Sequence, residues 1–454
     1  RQPLEFANIS FDNNEHLKAF TDQYGNFSIA KPGSSSILFV SFIGFKPEKI
    51  TITESKNIIV ALQPDVIDLK DIIISQNSGQ QKFNTIAKVD LDLKPVRNTQ
   101  ELLRLVPGLL IAQHAGGGKA EQIFLRGFDC DHGTDVQVSV DGMPVNMVSH
   151  AHGQGYADSH FIIPETINNI DYGTGPYYTQ RGDFNTAGYV SFSTYKNIPK
   201  STVQVEAGRF NTLRTLAMID LLKKNKDKQS AYLAGDFYYT DGPTINKQHF
   251  NRFNVFGKYN YSFSTKTQFA ATASGFKSKW DASGQVPERA VAAGIITRFG
   301  SLDPSEGGNT ERYNVNMNLV HRFTDNTTWE NQAFYSRYIF DLYSNFTFFA
   351  RDPVNGDEIK QAEKRNIIGL LSRINHKNIY SNWTLNSVYG AGLRADATKG
   401  SQLSNAVQRR FLSYVKLGDI KESNIFGYMQ QQAIAGRWLI EAGVRFDYFH
   451  FDYF

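Results

Sequence analysis

With Cys130 as its only cysteine, the chain makes no internal disulfide, and the redox compartment stays open. It has no run of eighteen apolar residues, which excludes spanning helices. A net charge of +4 is small for 454 residues, and no basic run interleaves with aromatics, so nucleic acid drops out as a partner. No secretory leader stands at Arg1; the expectation is a chain that begins after processing or after a disordered start. What the sequence does hold is aromatic residues, at 13%, with 34 Phe and 22 Tyr, under a negative mean hydropathy. That combination leaves a membrane β-barrel open, because each barrel strand is only half apolar and gives a weak hydropathy signal.

After Lys196 the pattern settles into period two. Phe253, Val255, Tyr259, Tyr261 and Phe263 share one face, and Asn254, Lys258, Asn260 and Ser262 the other. Tyr313, Val315, Met317 and Leu319 alternate with Asn314, Asn316 and Asn318, and Trp438, Ile440, Ala442, Val444, Phe446 and Tyr448 with Arg437, Glu441, Gly443, Arg445 and Asp447. One apolar and one polar face suits lipid outside and a wet lumen. Closure then follows, since an open edge in hydrocarbon leaves unpaired amides at several kcal/mol each. A soluble sandwich also alternates, but these strands are long, aromatic at their ends, and separated by gaps such as Trp280 to Glu311 that read as extracellular loops. Roughly ten to twelve strands fit into residues 197–454.

One stretch departs from generic β-protein. His114 to Glu165 holds five of the ten histidines, Cys130, and two of the five methionines, Met143 and Met147. Glycines break it into turns around two strand-like pieces, Ile123 to Leu125 and Val136 to Val140, so the histidines sit on loops held by a small sheet. Imidazole, thiolate and thioether at Cys130, His132, Met143, Met147, His150, His152 and His160 suit copper, zinc or iron, and a strand through His150-Ala151-His152 would point both rings one way. The spacing is not that of a closed zinc site. The competing reading is a structural network in which Asp129, Asp131, His132, Asp135, His150 and His152 hydrogen-bond the loop backbone. A third is an organic ligand stacked on Tyr156, Tyr177 and Tyr178. Enzyme chemistry finds little support: no serine or cysteine nucleophile stands in a strand-turn-helix context, and Gly116-Gly117-Gly118-Lys119 lacks the full phosphate-loop pattern.

Residues 1–63 read as a small β-sandwich with strands at Ala7 to Phe11, Phe27 to Ala30, Ser36 to Phe42, Lys49 to Thr53 and Asn57 to Leu62. Through Thr21-Asp22-Gln23-Tyr24-Gly25-Asn26-Phe27-Ser28-Ile29 and Val40-Ser41-Phe42-Ile43-Gly44-Phe45 this part resembles the carboxypeptidase regulatory-like domain, less its first strand; the resemblance implies no catalytic residues. In residues 64–84, Asp71, Ile72, Ile73, Ile74 and Ser75 would alone be an edge strand. Placed after such a domain they resemble a TonB box, which implies strand addition to the energy-transducing TonB complex.

From Val89 the chain resembles the plug of TonB-dependent outer-membrane receptors. The matches are Asn98 to Val106, a capped helix ended by Pro107-Gly108, then Leu125-Arg126-Gly127-Phe128, Val140-Asp141-Gly142-Met143-Pro144-Val145 and Arg181 to Val190. It departs at Ile170 to Pro176, where an acidic strand ending in Arg-Gly-Pro is usual, and at Tyr189, where a second glycine is common. The resemblance implies a mainly β chain: the sandwich at 1–63, TonB box and linker at 64–84, an α+β plug at 85–196, and at 197–454 an antiparallel transmembrane β-barrel with about half of the family's roughly twenty-two strands, so that the chain is expected to be a fragment. It further implies an active transporter, not an enzyme, in the outer membrane of a Gram-negative bacterium, with outer-membrane lipid and a surface lipoprotein as further partners. No cofactor is expected, only a transported metal ion or metal chelate. The substrate-contacting residues are then His132, Met147, His150, His152, Tyr156 and Asp158, with Cys130, His132, His150 and His152 as metal candidates. A passive surface-binding protein or adhesin of the same architecture is the alternative, and would need neither a plug nor Ile72 to Ser75.

Overall fold

A computed structural model describes residues 3–4, 7–11, 14–30, 36–41, 48–52, 57–62, 85–86, 96, 98–113, 117–130, 132, 134–153, 155–222 and 228–454. The chain divides into two compact units, Arg1–Gln76 and Asn77–Phe454. The TonB-box residues Asp71, Ile72, Ile73, Ile74 and Ser75 lie outside the described residues.

In the first unit, β1 (Asn8–Phe11), β2 (Asn14–Phe20), β3 (Ser36–Ser41) and β4 (Glu48–Ile52) form an antiparallel sheet in the order β2-β1-β3-β4. Alternation buries Ile9, Phe11, Leu38 and Val40, and Phe27, Ile29, Ile58, Val60 and Leu62 pack against them. Those last five come from the stretches expected as strands at Phe27 to Ala30 and Asn57 to Leu62, which run without regular secondary structure. Conversely, β2 was not expected, because its sequence Asn-Glu-His-Leu-Lys-Ala-Phe carries no clean apolar alternation; pairing with β1 makes it a strand. The turn after it is as expected, with the Asp22 carboxylate accepting from the amides of Tyr24 and Asn26 at 2.9 and 2.8 Å and Gly25 at φ 76°.

The second unit begins with the α+β part. Asn98 caps the helix Thr99–Leu103, its side chain accepting from the Glu101 amide at 2.9 Å. Strands β6 (Leu109–Ala112), β7 (Gln122–Leu125) and β8 (Phe128–Cys130) make one sheet; β5 (Thr85–Ile86), β9 (Val136–Val140), β10 (Met143–Pro144), β11 (Ile167–Thr174) and β12 (Gly188–Thr194) make another, ordered β10-β9-β12-β11-β5. Two of the family-like motifs are its hairpin turns: Arg126 and Gly127 stand at φ 50° and 86°, Asp141 and Gly142 at 46° and 79°. Two successive positive φ angles match the right-handed twist of the strands they join. The two departures prove to be cross-strand partners, Gly173 facing Tyr189 in the register of β11 and β12. A Cβ at Gly173 would lie 2.4 Å from both the Tyr178 and Tyr189 rings, so the glycine makes room for the tyrosine opposite it.

The third part is an eleven-stranded antiparallel sheet in sequence order: β13 (Thr202–Gly208), β14 (Thr212–Asp220), β15 (Gln229–Thr240), β16 (Phe250–Ser262), β17 (Thr267–Asp281), β18 (Gly307–Thr324), β19 (Thr327–Ser344), β20 (Ile359–Ile379), β21 (Thr384–Val407), β22 (Arg410–Ala435) and β23 (Trp438–Tyr453). Phe253, Val255, Tyr313, Val315, Trp438, Val444 and Phe446 are exposed, while Asn254, Asn260, Asn314 and Asn316 are buried against the α+β part. That inside-out arrangement is the barrel's signature: apolar groups toward lipid, polar groups inward. From β15 to β21 connections alternate in length: the turns at 263–266, 325–326 and 380–383 are short, and 241–249, 282–306 and 345–358 on the opposite rim are long, the extracellular pattern. The 24 and 26 residues of β21 and β22 exceed the roughly ten that cross a bilayer and carry the strands past the membrane on the long-loop side.

Candidate functional site

The histidine-rich stretch folds back on itself as a loop between β10 and β11. Met147 and Tyr156 pair as an isolated bridge, and His150 pairs with Gly153, so 150–153 is a tight turn. This corrects the expectation that His150-Ala151-His152 would be a strand with both rings on one face: Ala151 and His152 are turn residues, closed by the backbone pairing of His150 with Gly153. The His152 amide donates to His150 Nδ1 at 3.1 Å. The His150 proton therefore sits on Nε2, which is 3.2 Å from the Tyr338 hydroxyl on β19. The ring stacks on Tyr156 at 4.2 Å between centroids and meets Phe340 edge-on at 4.5 Å. Burial, then the charge of Arg365, holds His150 well below the usual imidazole range, so it is neutral here.

His152 is half-buried. Gln361 donates through Nε2 to the Ala151 carbonyl at 2.9 Å, and its Oε1 accepts from His152 Nδ1 at 2.9 Å. The other nitrogen of His152, Nε2, lies 3.0 Å from His132 Nε2. Ala151 donates to Glu363 at 2.8 Å, and Arg365 donates to the Ser149 carbonyl at 2.5 Å. Three successive inward residues of β20 thus hold this one turn.

The remaining sequence-derived residues divide between two cores. Met143 packs in the plug's apolar interior with Val138 and Phe192, whereas Met147 and Tyr156 are fully buried in a separate cluster with Trp280, Tyr338 and Phe340. Tyr177 is exposed and Tyr178 lies edge-on to Tyr189, so the three tyrosines join different surroundings. Asp158, 2% exposed, accepts from both the amide and Nδ1 of His160, at 2.9 and 2.7 Å. Cys130 ends β8, and its side chain lies outside the described set. Among the described residues no group of three or more His, Cys, Asp or Glu is arranged to hold a metal ion.

The functional residues that sequence reasoning did not single out are the arginines of the wall. Arg312 donates to the plug carbonyls of Val145 and Pro144 at 3.1 and 2.9 Å and lies over the Phe161 ring. Arg214 bonds Glu165 of the plug through both terminal nitrogens, at 2.7 and 2.8 Å, and Asp236 of the wall at 2.6 Å. Arg365 meets Glu363, Asp396 and Glu422 of the wall, each at 3.0 Å. Asp141, at the tip of the β9–β10 hairpin, takes Lys258 of β16 at 3.1 Å, and its carbonyl accepts from Asn316 and Gln332. A usable signal did exist: charged residues at the inward positions of strands whose other face is apolar.

A second feature lies on the long-loop side. A small cleft, with a cavity volume of about 30 Å³, is lined by Lys119 of the plug, by Trp280, and by Glu306 and Phe346 from the long connections. The loop at Gly118 lies directly on Trp280, where a Cβ would come within 2.1 Å of the indole.

The family model described as the TonB-dependent receptor plug domain matches residues 75–189, and the one described as a CarboxypepD_reg-like domain matches 1–74. Among solved structures, the ferric citrate transporter FecA aligns with a TM-score of 0.67 at 14% identity, over 81% of this chain and 56% of that one. The siderophore receptor PirA from Acinetobacter baumannii aligns at 0.58 and 17% identity, over 81% and 57%. The copper transporter OprC aligns at 0.58 and 13% identity, over 78% and 52%. At these identities the likeness is one of fold, and the chain spans little more than half the length of each.

Proposed function

Since the chain belongs to the TonB-dependent receptors, proteins of the Gram-negative outer membrane, we propose that it imports a ligand across that membrane at the expense of energy delivered through Asp71 to Ser75. The observation that carries this reading is how the plug is held. Beside apolar patches such as Met147 and Tyr156 against Tyr338 and Phe340, it meets the wall through hydrogen bonds and ion pairs, and the wall arginines Arg214 and Arg365 keep carboxylate partners of the wall itself. The polar part of such a seam exchanges its bonds for water at a modest net cost, about 0.5–1.5 kcal/mol per neutral bond and about 1.5–3 kcal/mol where a charged group takes part, so a pull on the plug can open a path without melting it. A passive adhesin gains nothing from a plug seated against the barrel wall in this way.

The ligand enters from the long-loop side and meets the plug at the turn 150–153 and the cleft beside Lys119. The commitment of both His150 nitrogens to protein partners favours a ligand held by its organic part, with any metal carried as a chelate. Energy coupling is tested by Ile73→Pro in the natural full-length protein. Strand addition uses backbone amides, and proline removes one. Uptake should fall to the level of cells without TonB while binding of ligand to intact cells is kept. Undiminished uptake by that variant would reject the energised mechanism.

A further inference from the structure

The cleft beside Lys119 contains one group that its surroundings leave unmatched. Three carboxyl groups meet on the long-loop side: Asp303, Glu306 and Glu358. Two are fully engaged. Asp303 accepts from the Ser305 amide at 3.0 Å and from Asn345 at 2.8 Å. Glu358 accepts from the Ser305 hydroxyl at 2.9 Å and from the Arg409 amide at 2.8 Å. Glu306 is 6% exposed and lines the cleft, yet its Oε1 has no partner. The side chain lies flat on Gly284, where a Cβ would sit 2.0 Å from Oε1, so the chain keeps a glycine to seat it. Around it the walls are aromatic: Trp280, Tyr343, Phe346 and Phe348.

We propose that this cleft is a subsite for an organic amine, whose ammonium pairs with the Glu306 carboxylate at Oε1 and whose carbon skeleton lies against Trp280, Phe346 and Phe348. The inference rests on the import reading for the direction from which ligand arrives. An ammonium supplies the donors that Oε1 lacks, and the electron-rich ring faces add attraction for a cation. Charge points the same way. Asp303 and Glu358 both add negative charge beside Glu306 and Lys119 opposes it, while the Arg409 guanidinium is committed to the carbonyls of Ser305 and Glu306 and to Asp281. Burial, reinforced by those two carboxylates, pushes the Glu306 carboxyl up to about 8. At neutral pH the empty site is therefore mostly protonated; an arriving cation expels that proton, which passes to the buffer, and the pair forms.

The test uses the natural full-length receptor purified in detergent and three probes of one shape: phenethylamine, phenethyl alcohol and phenylacetate. Calorimetry at pH 7 should show the amine binding about tenfold or more tighter than either of the others, a difference near 1.4 kcal/mol. Titration in two buffers of different ionisation enthalpy should show proton release for the amine alone. Glu306→Gln, which keeps the shape, should abolish the preference and the proton release and leave the alcohol unchanged. Because proton release is read on the unaltered protein, the proposal stays testable if the variant folds poorly. Equal affinities, a preference for phenylacetate, or an amine preference that survives Glu306→Gln would overturn it. So would saturable calcium binding that is lost in the variant, since the carboxyl would then be a metal ligand. Binding to purified protein needs no energised import, so failure here leaves the transport reading intact, and loss of TonB dependence in cells leaves this site intact.

Discussion

Inside the plug, Leu125, Val138, Ile170, Val190 and Phe192 pack as one apolar body. Its seam with the barrel is mixed: apolar patches such as Met147 and Tyr156 against Tyr338 and Phe340 stand beside polar contacts, where Arg214, Arg312, Arg365, Asn316 and Gln332 reach plug carbonyls and carboxylates. The difference separates two kinds of stability. Apolar burial is gained only when the whole body is together, at about 25 cal/mol per Å² removed from water, so the plug's interior behaves as a unit. The hydrogen-bonded part of the seam trades protein partners for water partners and loses less in the exchange. The plug can thus be one object internally and a separable object externally.

The largest expected effect breaks the seam on the wall side. Arg365→Ala takes their shared cation from Glu363 and Glu422, leaves Asp396 with Arg394 alone, and deletes the bond to the Ser149 carbonyl. A loss of about 3–5 kcal/mol is expected, measured as a fall in the denaturation midpoint of the barrel in detergent. A near-neutral result would mean that the wall cluster is already hydrated and that the seam is looser than its geometry. Next comes the plug interior. Ile170→Ala, at a fully buried site, should cost about 2–4 kcal/mol, read as faster proteolysis or hydrogen exchange confined to the plug while the barrel's midpoint stays put. If the barrel's midpoint falls equally, the two bodies unfold together and the comparison fails.

His150→Ala is the intermediate case, because the residue belongs to both kinds of surface. It leaves the Tyr338 hydroxyl and the His152 amide without their partner and removes a ring stacked on Tyr156. Stability should drop by about 1–3 kcal/mol, with bound metal unchanged by elemental analysis. Loss of bound metal at unchanged stability would instead restore this histidine as a ligand.

How far these features could be read in advance follows from their range along the chain. The outward and inward faces of β16 and β18 were legible because period two is local, and so was the Asn98 cap, whose partner is three residues away. The two positive-φ hairpins were legible as motifs. The seam was not. Arg312 in an alternating strand reads as one more lumen-facing polar residue, and its partners stand 167 and 168 positions earlier. The turn 150–153 was misjudged for the same reason. What bends it onto Gln361 and Glu363 lies about 210 residues away, beyond any window of local pattern.

The smallest expected effect sharpens the comparison from within the plug. Glu121 is 4% exposed, and its Oε2 has no partner, so it is an ionisable group buried within the plug. Desolvation holds its carboxyl above the usual range, opposed by the charges of His160 and Arg104. A carboxyl whose folded pKa lies above its unfolded one binds more protons folded than unfolded between the two values. Stability therefore falls as pH rises through that window; the deficit is complete above the folded pKa and absent below the unfolded one. Glu121→Gln removes the titration and keeps the shape. It should stabilise the plug by on the order of 1 kcal/mol at pH 8, and the gain should shrink toward zero as pH drops below about 4. Denaturant midpoints of the two proteins across that range decide it. A gain equal at both ends would trace to packing or hydrogen bonding, and a loss at pH 8 would mean that Glu121 is matched by a partner and that the plug interior tolerates charge as readily as the seam does.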